Sequence, residues 1–453
     1  MLIQGGLKLI MMEPYRQTEN KFLYTSLLLL IAGMLFGLTG GLQYIIPGIF
    51  KTYLSFEKTR PLHVSSVVFW IIMASTGTVI AYLQQYSGRK IFSPSLIKVQ
   101  FFLFLFSVLG ILVSYCIGIF GGREYWEFHP VLAIPVIIGW ILFIVNILKT
   151  TGSLSGKPVY VWMWLTGVLF FLFTYIESNL WLIPFFGKHV IKDMTIQWKS
   201  YGSMVGSWNM MIYGSSIFLM EKISGNKAYS RSYIAFVLFF TGLFNLMFNW
   251  GHHIYTLPTF PYIQYMSYAV SMTELFIFGR IIYLWRSTIS DAKKHAQQVA
   301  YRFLISADIW IFLTLILAIL MSVPAINVYT HGTHITVAHT MGATIGINSL
   351  LLMAFVYDIL YEKNTDTIVS SKWPEIGIWV INISLFIFWL SLVAAGVIKA
   401  KWQMSEVQIA FSSMMMKLRP LFIIFFISGL TMFSGFVLII YPIIRRWIAV
   451  SPK

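Results

Sequence analysis

The stretch Asn327-Val-Tyr-Thr-His-Gly-Thr-His-Ile-Thr-Val-Ala-His-Thr-Met341 leads into a long apolar segment. His339 and Met341 lie two residues apart just inside it. In an α-helix of about 3.6 residues per turn, their side chains point about 200° apart around the axis. One helix can therefore offer a ligand on each of two sides, an imidazole to one and a thioether to the other. That pattern predicts two hemes flanking a single helix.

The surrounding composition is that of a membrane protein. Of 453 residues, 58% are hydrophobic and 11% charged, with a mean hydropathy of +0.76. Apolar runs of about 20 residues, enough to cross a bilayer, recur from end to end. The expected fold is an all-α bundle of about twelve transmembrane helices forming a single domain over residues 1–453. The spans fall at 21–48, 64–84, 98–120, 129–149, 158–185, 201–221, 231–250, 263–285, 302–324, 335–361, 373–398 and 418–444.

The net charge of +16 has no soluble basic domain behind it, so membrane lipid rather than nucleic acid is the expected partner. The single cysteine, Cys116, excludes an internal disulfide, and the absence of C-x-x-C-H excludes covalently attached heme. No cleavable signal pattern opens the chain. With the N-terminus inside, inner segments carry roughly 21 Lys/Arg and outer ones roughly 11. The main clusters are Arg286, Lys293, Lys294 and Arg302, and Lys222, Lys227 and Arg231. Both termini are expected in the cytoplasm, in a bacterial inner membrane.

This topology predicts that His63, at the mouth of the second span, meets His252 and His253 at the end of the seventh and His339 in the tenth. All four fall at one depth in the outer third of the membrane. An intramembrane histidine is an interhelical hydrogen-bonding group or a ligand, and the common depth favours ligands. Imidazole suits iron and copper alike. His331 and His334, at the helix mouth, read either as partners of heme propionates or water or as solvated side chains.

The residues also carry a family resemblance. Gly41-Leu-Gln-Tyr44, Arg60-Pro-Leu-His63, Gly122-Arg-Glu124, Gly251-His-His253 and Tyr329-Thr-His-Gly-Thr333 followed by Ala338-His339 occur in this order. In that order and spacing the chain resembles the large subunit of bacterial nitric oxide reductases, a branch of the heme-copper oxidase superfamily. The resemblance implies a subunit I-like bundle with two b-type hemes, one low-spin and one high-spin. His63 is then an axial ligand of the low-spin heme and His339 the proximal ligand of the catalytic heme. His252 and His253 would hold a non-heme iron or copper ion. Arg60 and His331 join the cofactor-binding set, Glu274 matches a glutamate of proton delivery, and Glu124 matches an acidic residue near the propionates that binds calcium. A solvated loop carboxylate is the other reading of Glu124.

Three departures from the family pattern stand out. Aligned on Ile212-Tyr-Gly214, the third metal-binding histidine of the sixth helix and the glutamate four residues later become Gly202 and Gly206. Where the family has His-x-His, this chain has His339-Thr-Met341, so Met341 becomes the second ligand of the low-spin heme. As one of 22 methionines it could equally be a core residue. Finally, Glu177 in Tyr175-Ile-Glu-Ser178 is an intramembrane carboxylate, functional by default, that would complete the metal site or its proton path.

The expected reaction is reduction of two nitric oxide molecules, with two electrons and two protons, to nitrous oxide and water. The resemblance implies a separate heme c subunit or a soluble cytochrome as electron donor. A divergent relative performing nitric oxide dismutation or oxygen reduction, or holding heme without turnover, is the alternative within the family. A twelve-helix secondary transporter is the alternative outside it, although no inverted repeat is visible.

Overall fold

The computed structural model describes residues 18–276, 279, 298–361, 372–407 and 409–450. Arg286, Lys293 and Lys294, three of the cations used to orient the chain, lie outside the described residues. The helices are α1 (Thr18–Ile45), α2 (Phe56–Ser87), α3 (Pro94–Cys116), α4 (Ala133–Thr151), α5 (Val159–Glu177), α6 (Val190–Ser224), α7 (Tyr233–Phe248), α8 (Pro261–Ser271), α9 (Val299–Ser322), α10 (His334–Tyr361), α11 (Trp373–Gln403) and α12 (Phe411–Val450). Among the described residues no strand forms, and ten helices are long and apolar enough to cross a membrane. The two outside that set are α6, which is too polar, and α8, whose described part is short. In hydrocarbon every backbone N–H and C=O must find its partner within the segment, which is why such apolar runs become helices.

Local chemistry sets the helix ends. Ser93 accepts from Leu96 N ahead of Pro94, and Thr333 caps α10 by accepting from Ile335 N at 3.2 Å. Gly88 closes α2 in the left-handed region at φ 64°. α10 is not uniform. Its α-helical first turns give way at Gly342–Ser349 to a π-helical run, then to α-helix again and to a second π turn at Tyr357–Tyr361. Gly346 lets the first π run approach α9, since a Cβ there would stand 2.4 Å from the Trp310 ring.

Two compact units divide the chain. The first comprises residues 1–153, 352–384 and 429–453. In it, Gln84 Nε2 donates to Glu19 Oε1 at 2.9 Å, and Tyr357 donates to the Ile439 carbonyl at 2.5 Å. The second comprises residues 154–351 and 385–428. There Trp164 Nε1 donates to Ser215 Oγ at 3.0 Å across α5 and α6, and Lys399 Nζ to the Gly332 carbonyl at 2.8 Å.

Candidate functional site

In the first unit, His63 lies two turns inside α2 rather than at its mouth, because the helix already begins at Phe56 behind Ser55. Its Nδ1 is 2.7 Å from the carbonyl oxygen of Gly33. A carbonyl only accepts, so Nδ1 carries the proton and Nε2 keeps its lone pair. Metal-binding histidines are held this way, one nitrogen fixed by a backbone carbonyl and the other free for the metal. Gly37 makes the space, since a Cβ there would stand 2.7 Å from the same Nδ1. The cradle fits an axial heme ligand.

One turn before His63, Arg60 holds two carboxylates. Nη1 donates to Glu127 Oε1 at 2.9 Å and Nη2 to Glu124 Oε1 at 2.5 Å. Glu124 is exposed and Glu127 half-buried. Burial pushes the Glu127 carboxyl above its ordinary range, with the Arg60 charge pulling against it. The sequence reading misses Glu127. Its only signal is a spacing of three from Glu124, in a loop folded back by the Arg123–Trp126 bridge with Tyr125 at φ 69°.

The second unit gathers the other histidines. His252 and His253 sit on the 3₁₀ turn Asn249–Ile254 that follows α7, not on the α-helix itself. Their ring centroids are 4.2 Å apart. His252 Nδ1 lies 3.3 Å from Ser271 Oγ of α8, and Asn327 Nδ2 donates to the His252 carbonyl at 3.2 Å. Trp198 of α6 stacks on His253, centroids 4.9 Å apart and planes 14° from parallel. His331 and His339 lie within electrostatic range of both rings. The His339 ring lies toward the Thr314 backbone on α9, though its buried Nδ1 makes no hydrogen bond of full geometry there. Met341 follows two residues on, partly exposed. His334 packs against Phe422, ring centroids 5.3 Å apart.

Glu274 ends a chain of amides. Asn245 Nδ2 donates to Thr273 Oγ1 at 3.1 Å, and Asn249 Nδ2 donates to Asn245 Oδ1 at 2.9 Å and to Glu274 Oε1 at 3.5 Å. Glu274 Oε2 is buried without a partner. The sequence reading also misses these asparagines. Asn249 lies three residues before His252, on the same 3₁₀ turn.

Glu177 is the last residue of α5, where Lys199 of α6 forms an ion pair with its Oε1. Both Gly202 and Gly206 are contact points of α6. A Cβ on Gly202 would stand 3.1 Å from Trp250 Cβ, and one on Gly206 would stand 2.7 Å from Leu246 Cβ. Among the described residues, no three His, Cys, Asp or Glu side chains stand close enough together to hold a metal ion. His63 and His339 thus suit heme, whereas His252 and His253 are two donors without a third.

Comparison with known proteins agrees with this fold. The family described as Cytochrome C and Quinol oxidase polypeptide I matches residues 19–431. A nitric oxide reductase subunit of Stutzerimonas stutzeri is 23% identical, over 93% of this chain and 93% of its own length. The cbb3-type cytochrome c oxidase subunit CcoN1 of the same organism is 21% identical, over 88% of this chain and 87% of its own. The solved structure of a heme-copper terminal oxidase dimer superposes with a TM-score of 0.70 at 12% identity, covering 97% of this chain and 84% of that one. The chain belongs to the cytochrome c and quinol oxidase polypeptide I family, the subunit I family of the heme-copper oxidases. It is a multi-pass membrane protein of the oxidoreductase kind, in respiratory electron transport. Membership implies heme cofactors, a metal centre and electrons accepted from cytochromes.

Proposed function

We propose that the chain is the catalytic subunit of a nitric oxide reductase in a bacterial cytoplasmic membrane, with both termini inside. The reaction is 2 NO + 2 e⁻ + 2 H⁺ → N₂O + H₂O. The observation that carries this reading is the hydrogen bond from Asn327 Nδ2 to the His252 carbonyl at 3.2 Å, which joins the turn bearing His252 and His253 to the distant stretch bearing His331 and His339. The 23% identity to a nitric oxide reductase subunit over 93% of the chain supports it.

Heme, when bound, supplies one-electron transfer and an iron at which a diatomic gas binds. His63 presents Nε2 to the electron-accepting heme because the Gly33 carbonyl fixes its other nitrogen. Met341 stands where the family pattern has the second histidine of His-x-His and would take its place as ligand, and His339 would hold the catalytic heme. Arg60 and His331 would each offer a hydrogen-bond donor to anionic propionates. Glu124 gives Oε1 to Arg60, and its other oxygen is the one it would offer to calcium. Glu274, with Oε2 buried and unpartnered, is the proton donor to the product oxygen. Asn249 orients Glu274 and stands on the turn that carries His252. Glu177, paired with Lys199, keeps that ammonium neutralised beside Trp198. A heme c subunit or soluble cytochrome is the electron donor.

Purified holoprotein supplied with a reduced c-type cytochrome and ¹⁵N-labelled NO tests the reading by gas mass spectrometry. Labelled nitrous oxide, formed at one mole per two moles of NO, is the expected product. Labelled dinitrogen, or consumption of oxygen in place of NO, overturns it.

A further inference from the structure

The fold family implies a metal ion beside the catalytic heme, and the His252–His253 turn is where two imidazoles could hold one. We infer that this turn binds no metal ion in this protein and that its imidazoles serve as hydrogen-bonding groups facing the substrate. The inference rests on the heme-enzyme reading of the site and deepens it.

Three observations carry it. The first is steric. α6 runs directly along the segment that carries the turn, and Gly202 and Gly206 seal the contact against Trp250 and Leu246 at Cβ distances of 3.1 and 2.7 Å. A helix seated this closely leaves no volume between itself and the turn for a third protein ligand.

The second is the state of the two nearby carboxylates that could stand in. Glu177 Oε1 is engaged by Lys199 and Glu274 Oε1 by the Asn249 amide, and the other oxygen of each is buried without a partner. Neither forms a three-donor group with the histidines. Residues 277–290, which continue past Glu274 in sequence, contain no His, Cys, Asp or Glu.

The third is charge. Lys199 follows Trp198, which lies flat on His253, and precedes Gly202 by three residues, so it shares that face of α6. Its ammonium is neutralised by Glu177, so this face of α6 brings the imidazole pair no free anion that could complete a cation site. Two neutral imidazoles without an anionic partner fall short of the three or four donors with which iron, copper or zinc is retained.

The rings are instead supported as polar groups. Ser271 Oγ lies 3.3 Å from His252 Nδ1, and Trp198 fixes the plane of His253. What remains exposed on each ring is a nitrogen that can donate to, or accept from, a small oxide of nitrogen and the water it releases.

The test is a metal count and a magnetic measurement on holoprotein purified without chelator. Total iron, copper, zinc and manganese are measured by mass spectrometry, and heme separately by pyridine hemochrome. The expected result is iron equal to heme and no other metal at stoichiometric level. The oxidised protein should also show an uncoupled high-spin ferric heme at full spin intensity. Incubation with excess ferrous iron, then desalting, should leave no added iron that His252→Ala/His253→Ala removes. One further equivalent of any metal, lost in that double variant, overturns the inference. So does a high-spin heme silenced by magnetic coupling in the parent and restored in the variant. Absent heme would defeat the oxidoreductase reading, and the non-heme metal count decides the present inference separately.

Discussion

Gly37 leaves the space that the His63 imidazole occupies, and a Cβ at that position would stand 2.7 Å from His63 Nδ1. A methyl group there must push the ring off the Gly33 carbonyl. Gly37→Ala should therefore weaken axial ligation of the low-spin heme about tenfold, as loss of an orienting partner commonly does. The low-spin optical band and its magnetic signature read the effect. Unchanged low-spin heme content in Gly37→Ala, with His63→Ala also unaltered, would remove His63 from the ligand set.

Met341 should set the potential of that same heme. Exchanging thioether for imidazole lowers the potential, so Met341→His should shift the low-spin heme downward by on the order of 100 mV. Met341→Leu should abolish the thioether charge-transfer band. A redox titration that leaves both variants at the parental value would return Met341 to the core methionines.

Proton supply should depend on Glu274 and on the amides that aim it. Glu274→Gln keeps the shape and removes the acid, and turnover should fall about 100-fold. Asn249→Leu should produce a smaller loss with the same solvent isotope effect as the parent step, while heme content stays constant. Equal turnover in Glu274→Gln and parent would exclude this route.

Glu177 and Lys199 are both substantially buried, with side chains 13% and 26% exposed. Lys199→Met leaves a buried carboxylate uncompensated, at a cost of about 3 kcal/mol. Removing both charges, as Lys199→Met with Glu177→Leu, should recover most of that loss. Thermal unfolding in detergent measures both, and a double variant no more stable than the single would show the pair to be purely local packing.

Acidity should act through the Arg60 loop. Burial raises the Glu127 carboxyl in the folded protein, so the fold favours its protonated form. The stability this contributes is present below the ordinary carboxylate range and is lost as pH rises through the raised value. Protease resistance of the 117–129 loop should thus fall with rising pH just above that range, and Glu127→Gln should flatten the slope. A slope unchanged in that variant would assign the dependence elsewhere.

Much of the bundle was legible because hydrophobic length alone marks a span. α1, α3, α7, α9 and α11 begin within about four residues of where apolar runs place them. α6 was harder. Its apolar run starts near Tyr201, yet the helix begins at Val190, eleven residues earlier. Lys192, Asp193 and Lys199 break the hydropathy pattern, and at Lys199 the break is apparent only, since Glu177 neutralises the charge across the helix pair. Partners distant in sequence hide such matches. His63 stood out as a candidate ligand from its motif, but the Gly33 carbonyl that fixes its tautomer could not be read from one strand of sequence. Glu127, Asn245 and Asn249 were missed for the same reason, as each gains its role only from a neighbour on another element. The π-helical runs of α10 leave no compositional mark, because their wider turns answer to packing against Trp310 rather than to local propensity.

Those wider turns carry a consequence for how this protein can change. A π run holds a surplus residue within an otherwise ordinary helix. Deleting one residue anywhere in Gly342–Ser349 would let the segment tighten to α-helix without breaking it. The widened turns would absorb that loss with little rotation of His339 and Met341, whereas one residue removed from the α-helical stretch Leu350–Val356 would turn them by about 100° against the helix beyond it. Gly342–Ser349 is therefore the stretch where the chain can lose a residue and keep the aim of both side chains, while a change of length in the ordinary helix beyond it would retire the cofactors and leave the bundle standing.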